Sequence, residues 1–333
     1  METWREDVLG DGWLQRDLEL DGGALATLVH HPTHHPSDDA VPHQAPDPHP
    51  RTAIVYRHGC VVNFFHAHVA EAFESRGYEF FALDLRGYGR SIGRGTQEGG
   101  PNYVTDLSVY HEELDAAVQV IRQLGYQRIV LNAHSTGGLI GPLWAAAHPG
   151  VVDAMVLNSP WLDLNENWFF KGPATAAIDG IGRIWPTLRV SGLRPYYGEA
   201  LHRDTGGEWD YSLAWKPHLG FPVAAGWFRS VRRAHRQIAR GLDLDFPILV
   251  ATSNERGDPR HAHAAVVTSD CVLNPADMWA RAKCLGSKTE LIRIPGGAHD
   301  LALSPEPARS IYLEGILTWL ELRNPTTTTG QGD

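Results

Sequence analysis

One decapeptide constrains this chain more than any other: Ile129-Val130-Leu131-Asn132-Ala133-His134-Ser135-Thr136-Gly137-Gly138. An apolar run leads into small–x–Ser–x–Gly and straight on into a segment that reads as a helix, Gly138 to Ala147. A serine in so sharp a strand-to-helix turn projects its hydroxyl out of the sheet, and small residues two before and two after let the turn close. Ala133 stands where glycine is usual. The helix that follows points its positive N-terminal end at the hydroxyl, where it can hold developing negative charge. An ordinary N-cap serine is the plainer reading of a Ser at a helix start. The strand in front of it is what lifts Ser135 above that reading.

The rest of the chain keeps the rhythm this turn demands. Strands are expected at 52–56, 78–83, 128–132, 152–157, 247–251 and 290–294, with helices at 66–76, 103–124, 138–147, 275–285 and 305–322. Alternation of this kind predicts an α/β fold with a mostly parallel central sheet flanked by helices. Residues 13 to 30 alternate well enough for two antiparallel strands around Asp21-Gly22-Gly23. Residues 31–50, rich in Pro, Asp and His, read as an exposed loop. The stretch from Trp161 to Asp245 breaks the rhythm with Trp, Gly and Pro and weak strand signals, so it reads as an inserted cap. The predicted organisation is a core of residues 1–160 and 246–323, a cap at 161–245 and a polar, disordered tail at 324–333.

Composition excludes several classes. With 333 residues, 43% of them apolar, the chain can bury one large core. A formal charge of −10 argues against a nucleic-acid surface. The basic run Arg229, Arg232, Arg233, Arg236 and Arg240 reads either as a solvated helix face or as a rim for anionic substrates or membrane. No apolar run is long enough for a membrane span, the N-terminus lacks a signal-peptide core, and three cysteines, Cys60, Cys271 and Cys284, make no disulfide framework. A cytoplasmic chain without stable membrane insertion is expected.

A nucleophilic serine needs a base, and His299 lies in the Gly-rich loop Pro295-Gly296-Gly297-Ala298-His299-Asp300, just past the last predicted strand. Ligands of open α/β sheets bind at that carboxyl end. The orienting carboxylate is expected from Asp270, with Asp258 as rival. Ser135, Asp270 and His299 then stand in the order Ser–Asp–His. Asp300 is expected to point elsewhere. The oxyanion donors should be the backbone N–H of Thr136 and of Cys60, in the turn Arg57-His58-Gly59-Cys60. Gly59, His134 and Trp161 flank these groups and are expected against substrate. A thiol nucleophile at Cys60 is not expected, since no histidine pairs with it.

On these residues the chain resembles the α/β-hydrolase superfamily, and within it the monoglyceride-lipase, lysophospholipase and serine-aminopeptidase-like group. The resemblance is carried by His58-Gly59, by Asp84-Leu85-Arg86-Gly87-Tyr88-Gly89-Arg90-Ser91, by the elbow Ala133-His134-Ser135-Thr136-Gly137 and by Gly297-Ala298-His299-Asp300. It spans roughly residues 50 to 322 less the cap. It implies hydrolysis of a lipid-like or small acyl ester through an acyl-serine, with no metal and no organic cofactor. Aromatic residues of the cap (Trp168, Phe169, Phe170, Trp185, Tyr196, Tyr197, Trp215 and Trp227 beside Trp161) would line an acyl pocket or simply form the cap's own core. Two departures stand out: the long 253–268 loop before the acid, and the 31–50 insertion.

Three other readings stay open. An aminopeptidase or amidase would need a cap carboxylate such as Glu166, Glu199 or Glu208 to hold the substrate amine. A ligand-binding protein could keep the fold without catalysis. A metal protein could use His30, His31, His34, His35, His43 and His49, although their loop lacks regular spacing.

Overall fold

Nine strands form one twisted sheet in the computed structural model, which describes residues 3–10, 12–33, 50–96, 100–164, 173–191 and 194–323. In chain order these strands are β1 (Arg5–Glu6), β2 (Leu14–Glu19), β3 (Leu25–His31), β4 (Thr52–Arg57), β5 (Glu79–Asp84), β6 (Arg128–His134), β7 (Ala154–Asn158), β10 (Ile248–Ser253) and β11 (Thr289–Ile294). A separate two-stranded ribbon, β8 (Arg189–Ser191) with β9 (Val223–Ala224), lies between β7 and β10 in sequence. The sheet order is β1-β2-β3-β5-β4-β6-β7-β10-β11. The pairs among β1, β2, β3 and β5 are antiparallel and the rest are parallel. The predicted N-terminal hairpin is present, turning through Asp21–Gly23; the short edge strand β1 carries no sequence signal of its own.

The helices are α1 (Ala67–Glu74), α2 (His111–Gln123), α3 (Gly137–Ala147), α4 (Pro173–Ile184), α5 (Tyr196–Leu201), α6 (Ala225–Arg240), α7 (Pro275–Ala282) and α8 (Ala308–Arg323). Apart from the edge strand β11, the parallel strands are buried on both faces, as helix-covered sheets are. Alternate side chains divide between two cores. Val55, Leu83, Leu131, Leu157 and Val250 pack under α2, α3 and α6. Ile54, Phe80, Val130, Val156 and Leu249 pack under α1 and α8.

The helix expected over 103–124 begins eight residues later. Asp106 caps a 3₁₀ turn, Leu107–Tyr110, by accepting from the Ser108 N–H, and the α-helix starts only at His111. The basic side chains of α6 are largely met within the molecule. Arg232 pairs with Asp163 at 3.2 Å, Arg229 and Arg236 with Asp179 at 3.6 Å, and Arg233 with Asp106 at 3.4 Å. Among the described residues no helix is long and apolar enough to cross a membrane. His34, His35, His43, His49, Glu166, Trp168, Phe169, Phe170 and the 324–333 tail lie outside the described residues.

Two of the candidate metal ligands are strand residues rather than loop residues. His30 is buried at the end of β3, 2.6 Å from Glu79 Oε1 and stacked on Phe81. His31 reaches Glu74 and stacks on Trp13. No group of three or more His, Cys, Asp or Glu among the described residues is arranged to hold a metal ion.

Candidate active site

Sheet register brings the site together. β4 pairs with both β5 and β6, so the chain crosses from one side of β4 to the other and leaves a crevice at the strand ends. Arg57 of β4 is in register with Ala133 of β6, so His58-Gly59-Cys60 and His134-Ser135-Thr136 leave the sheet side by side. Further along, His134 registers with Asn158, Asn158 with Ala251, and Ser253 with Ile294. The loops carrying Asp270 and His299 therefore open on the same edge.

Ser135 adopts a left-handed backbone, φ +53°, between β6 and α3. A non-glycine residue there is strained and persists where neighbours over-determine it. Its N–H donates to Asn158 O at 3.0 Å, and its own carbonyl accepts from Trp161 N at 2.9 Å. A Cβ on Gly137 would come within 2.6 Å of Arg57 O, and one on Gly59 within 2.9 Å of Ser135 Cβ. Glycine at both places is thus a packing requirement of two loops in contact.

The hydroxyl meets a continuous hydrogen-bonded line. Ser135 Oγ is 3.1 Å from His299 Nε2, and His299 Nδ1 is 3.1 Å from each Asp270 oxygen. With Nδ1–H donated to the carboxylate, Nε2 is left as acceptor for the serine proton. All three side chains are buried. Asp270 Oδ1 also accepts from the N–H of Val272 and Leu273 at 2.9 and 2.7 Å. The long 253–268 loop closes on itself and leaves Asp270 beside His299: Asp270 N donates to Glu255 O and Gly257 N to Asp270 O. Asp258, the rival, is exposed and bound to Arg260 at 3.0 Å; the Arg260 hydrogen bond holds its carboxyl below the usual range.

Cys60 and Thr136 stand on the two facing loops, and among the described residues neither backbone N–H has an acceptor. Burial pushes the Cys60 thiol up to about 12, so it stays protonated. His58 Nδ1–H donates to Gly59 O at 2.7 Å and Nε2 accepts from Leu85 N at 3.4 Å; burial keeps this imidazole neutral. The D-x-R-G-x-G-x-S stretch acts on the same loop. Asp84 Oδ1 accepts from Phe64 N at 3.0 Å, and Oδ2 accepts from Arg90 N at 3.1 Å and Arg90 Nη1 at 2.9 Å. Arg90 closes a second, bidentate pair with Asp7 at 2.6 and 2.7 Å.

Asp300 does turn away from the triad. It is buried with Oδ1 accepting from Asn158 Nδ2 at 2.8 Å and Oδ2 accepting from His66 Nε2 at 3.1 Å. Burial would raise its carboxyl, but His134, the His66 hydrogen bond and Lys216 outweigh that and hold it well below its ordinary range. His134 donates Nδ1–H to Asn158 O at 3.1 Å, and its ring lies 4.9 Å from that of His299. Burial lowers it to about 4, so it is neutral.

The 161–245 segment reaches the site through Tyr197. Its hydroxyl accepts from Asp300 N at 2.9 Å and its ring lies 6.0 Å from His299. Other aromatics expected around a pocket mostly pack elsewhere. The Trp161 ring lies against Trp227 and His235, Trp185 is 64% exposed, and Trp215 lies 5.6 Å from the Arg90 guanidinium. Glu208 is bound to Arg309 at 2.7 Å, and Glu199 lines a cleft of about 390 Å³ with Tyr196, Ala200 and His263. Sequence reasoning missed His66 and Lys216. His66 is marked in sequence only as the start of a helix and Lys216 falls in no motif; only folding brings His66 against Asp300 and Lys216 within electrostatic reach of it.

Comparison with known proteins identifies the family. The family model described as "Serine aminopeptidase, S33" matches residues 48–306. A monoacylglycerol lipase of Mycolicibacterium smegmatis is 32% identical over 282 residues, 83% of this chain and 90% of that protein. A soluble variant of the Saccharomyces cerevisiae monoglyceride lipase has the same fold at TM-score 0.67 and 14% identity, covering 97% of this chain and 100% of that one. The Paleococcus ferrophilus monoacylglycerol lipase follows at TM-score 0.61 and 18% identity, covering 83% and 97%. With its sheet, its elbow and a family match over most of its length, the chain belongs to the serine aminopeptidase S33 family of α/β-hydrolases.

Proposed function

We propose that this chain is a serine hydrolase of carboxylic esters, with a lipid-like monoacyl ester as its substrate class. The observation that carries the reading is the buried line from Asp270 through His299 to Ser135, each step 3.1 Å. Ser135 Oγ attacks the acyl carbonyl while His299 Nε2 takes its proton. Asp270 keeps the imidazole in the tautomer that accepts at Nε2 and stabilises the imidazolium that forms. The carbonyl oxygen, now an oxyanion, is held by the N–H groups of Cys60 and Thr136 at the positive end of α3. The C–O bond to the alcohol breaks as His299 returns the proton to the leaving oxygen. Water, deprotonated by the same imidazole, then attacks the acyl-serine and frees the acid. Residues 161–245 act as a cap on this site, with Tyr197 as its contact to the His299 loop. The mycobacterial relative named a monoacylglycerol lipase supports a glycerol monoester as substrate.

The test is Ser135→Ala, assayed with p-nitrophenyl esters and a monoacylglycerol. A loss in kcat of about 10³-fold or more is expected, with the unfolding midpoint within a few degrees of the parent. Retention of normal turnover by the alanine variant would exclude Ser135 as nucleophile.

A further inference from the structure

The turn that follows the base is fastened from two sides. His299 runs directly into a single 3₁₀ turn, Leu301–Leu303, whose backbone groups reach outward for partners. The core supplies two of them: Leu301 N donates to Asn158 Oδ1 at 3.2 Å, and Ala302 O accepts from His68 Nε2 at 2.9 Å. The 161–245 segment supplies two more. Asp300 N donates to the Tyr197 hydroxyl at 2.9 Å, and Leu303 O accepts from Trp209 Nε1 at 3.0 Å. Asp300 and Leu303 are buried, where a backbone group without a partner is destabilising. Tyr197 meets the base a second way, since its ring faces the His299 imidazole edge-on at 6.0 Å and 77°.

Tyr197 and Trp209 belong to one self-braced unit. A helix as short as α5, six residues, is not stable alone. Here Trp209 N donates to Leu201 O at 2.9 Å, Arg203 N to Trp209 O at 2.8 Å, and the Tyr211 hydroxyl to Gly198 O at 3.0 Å. Leu201, Tyr211, Tyr197 and Trp209 pack with Leu303 and with Phe65 of the loop after β4. The Trp209 ring stacks on His68 at 4.8 Å, and the Arg309 guanidinium lies 4.9 Å from it. A unit tied down in this way can hold a neighbouring turn still.

We infer that Tyr197 and Trp209 are positioning residues for His299: through the Asp300 N–H and the Leu303 carbonyl, the 161–245 segment fixes the backbone that aims the imidazole at Ser135. The inference rests on the ester-hydrolase reading above. A reacting group misplaced by about 1 Å can cost on the order of 10²-fold in rate, so loss of these contacts acts on kcat and acts alike on every acyl chain. The competing role is an aromatic wall of an acyl pocket, which would act on long-chain esters more than on short ones.

Three conservative variants separate these roles. Tyr197→Phe keeps the ring and removes the acceptor for Asp300 N. Trp209→Phe keeps an aromatic face and removes the donor to Leu303 O. Tyr211→Phe is the control, since it removes the hydrogen bond to Gly198 O inside the unit and none to the His299 turn. Each is assayed on p-nitrophenyl acetate and p-nitrophenyl decanoate, with its unfolding midpoint and its rate of labelling by a fluorophosphonate. Tyr197→Phe and Trp209→Phe should each lower kcat about tenfold or more, by the same factor on both esters, with KM within about twofold and labelling slowed in proportion. Tyr211→Phe should keep the parental kcat at temperatures where it is folded, even if its midpoint falls. Parental kcat in either positioning variant, a loss confined to the decanoate, or an equal loss in Tyr211→Phe overturns the inference and leaves the hydrolase reading intact. If Tyr197→Phe does not fold, Trp209→Phe alone decides among the same outcomes. A parent enzyme that neither turns over the esters nor takes the label overturns both.

Discussion

At the scale of single residues, two aspartates are candidates for one role, and their surroundings differ. Asp270 is fully buried, accepts two backbone N–H groups and faces His299 with both oxygens. Asp258 is exposed and bound to Arg260. An acid that orients a base must be fixed and shielded, since a solvent-screened carboxylate contributes little. Asp270→Asn should therefore lower kcat by about 10³–10⁴-fold by stabilising the wrong imidazole tautomer. Asp258→Asn should leave kcat/KM within about twofold, a surface change remote from the chemistry. Steady-state kinetics on one p-nitrophenyl ester measures both; a larger loss at Asp258 would reassign the acid. The turn around Ser135 was legible because it is local: ten consecutive residues encode strand, turn and helix. Asp270 was legible only as a preference, because nothing in the sequence shows that the 253–268 loop folds back to deliver it.

Among elements, the Asp84–Ser91 segment shows what a recognised pattern does not say. The sequence marks it as a family feature; the structure supplies the reason. Asp84 fastens the loop after β4 through Phe64 N and holds Arg90, and Arg90 in turn holds Asp7 beside the edge strand β1. The segment is a clamp joining the Cys60 loop to the N-terminal hairpin. Removing a buried cation strands two buried carboxylates, which costs about 3–5 kcal/mol. Arg90→Met should lower the denaturant midpoint by a corresponding amount, and a change below about 1 kcal/mol would show that the clamp is not needed. The limits of sequence reading at this scale are equally physical. The start of α2 was misplaced because Asp106 caps a 3₁₀ turn ahead of it, and helical periodicity does not distinguish the two. The basic face of α6 was ambiguous because Asp106, Asp163 and Asp179, its partners, are distant in sequence.

For the whole molecule, the parallel sheet was readable because each of its strands is short, apolar and followed by a helix. The long-range polar network behind His299 was not, because His66, Asn158 and Asp300 come from three separate loops and strands. That network predicts an acid dependence. Asp300 has its folded carboxyl held well below its ordinary value of 3.8. Its contribution to stability is therefore fully present above about pH 5 and is lost as the pH falls below its unfolded value toward the folded one. Asp300→Asn should be less stable than the parent at pH 7, and the gap should close below about pH 4. Urea unfolding across pH 3–7 reads this directly; a gap that widens on acidification would refute the assignment.

Ser135 as an activated nucleophile is tested by active-site labelling. The purified protein is treated with a fluorophosphonate probe, the adduct is mapped by mass spectrometry, and turnover of p-nitrophenyl esters of increasing chain length is followed before and after labelling. One stoichiometric adduct is expected, on Ser135, with loss of ester turnover in proportion to labelling. Undiminished turnover after labelling, or an adduct on a different residue with Ser135 unmodified, would contradict it.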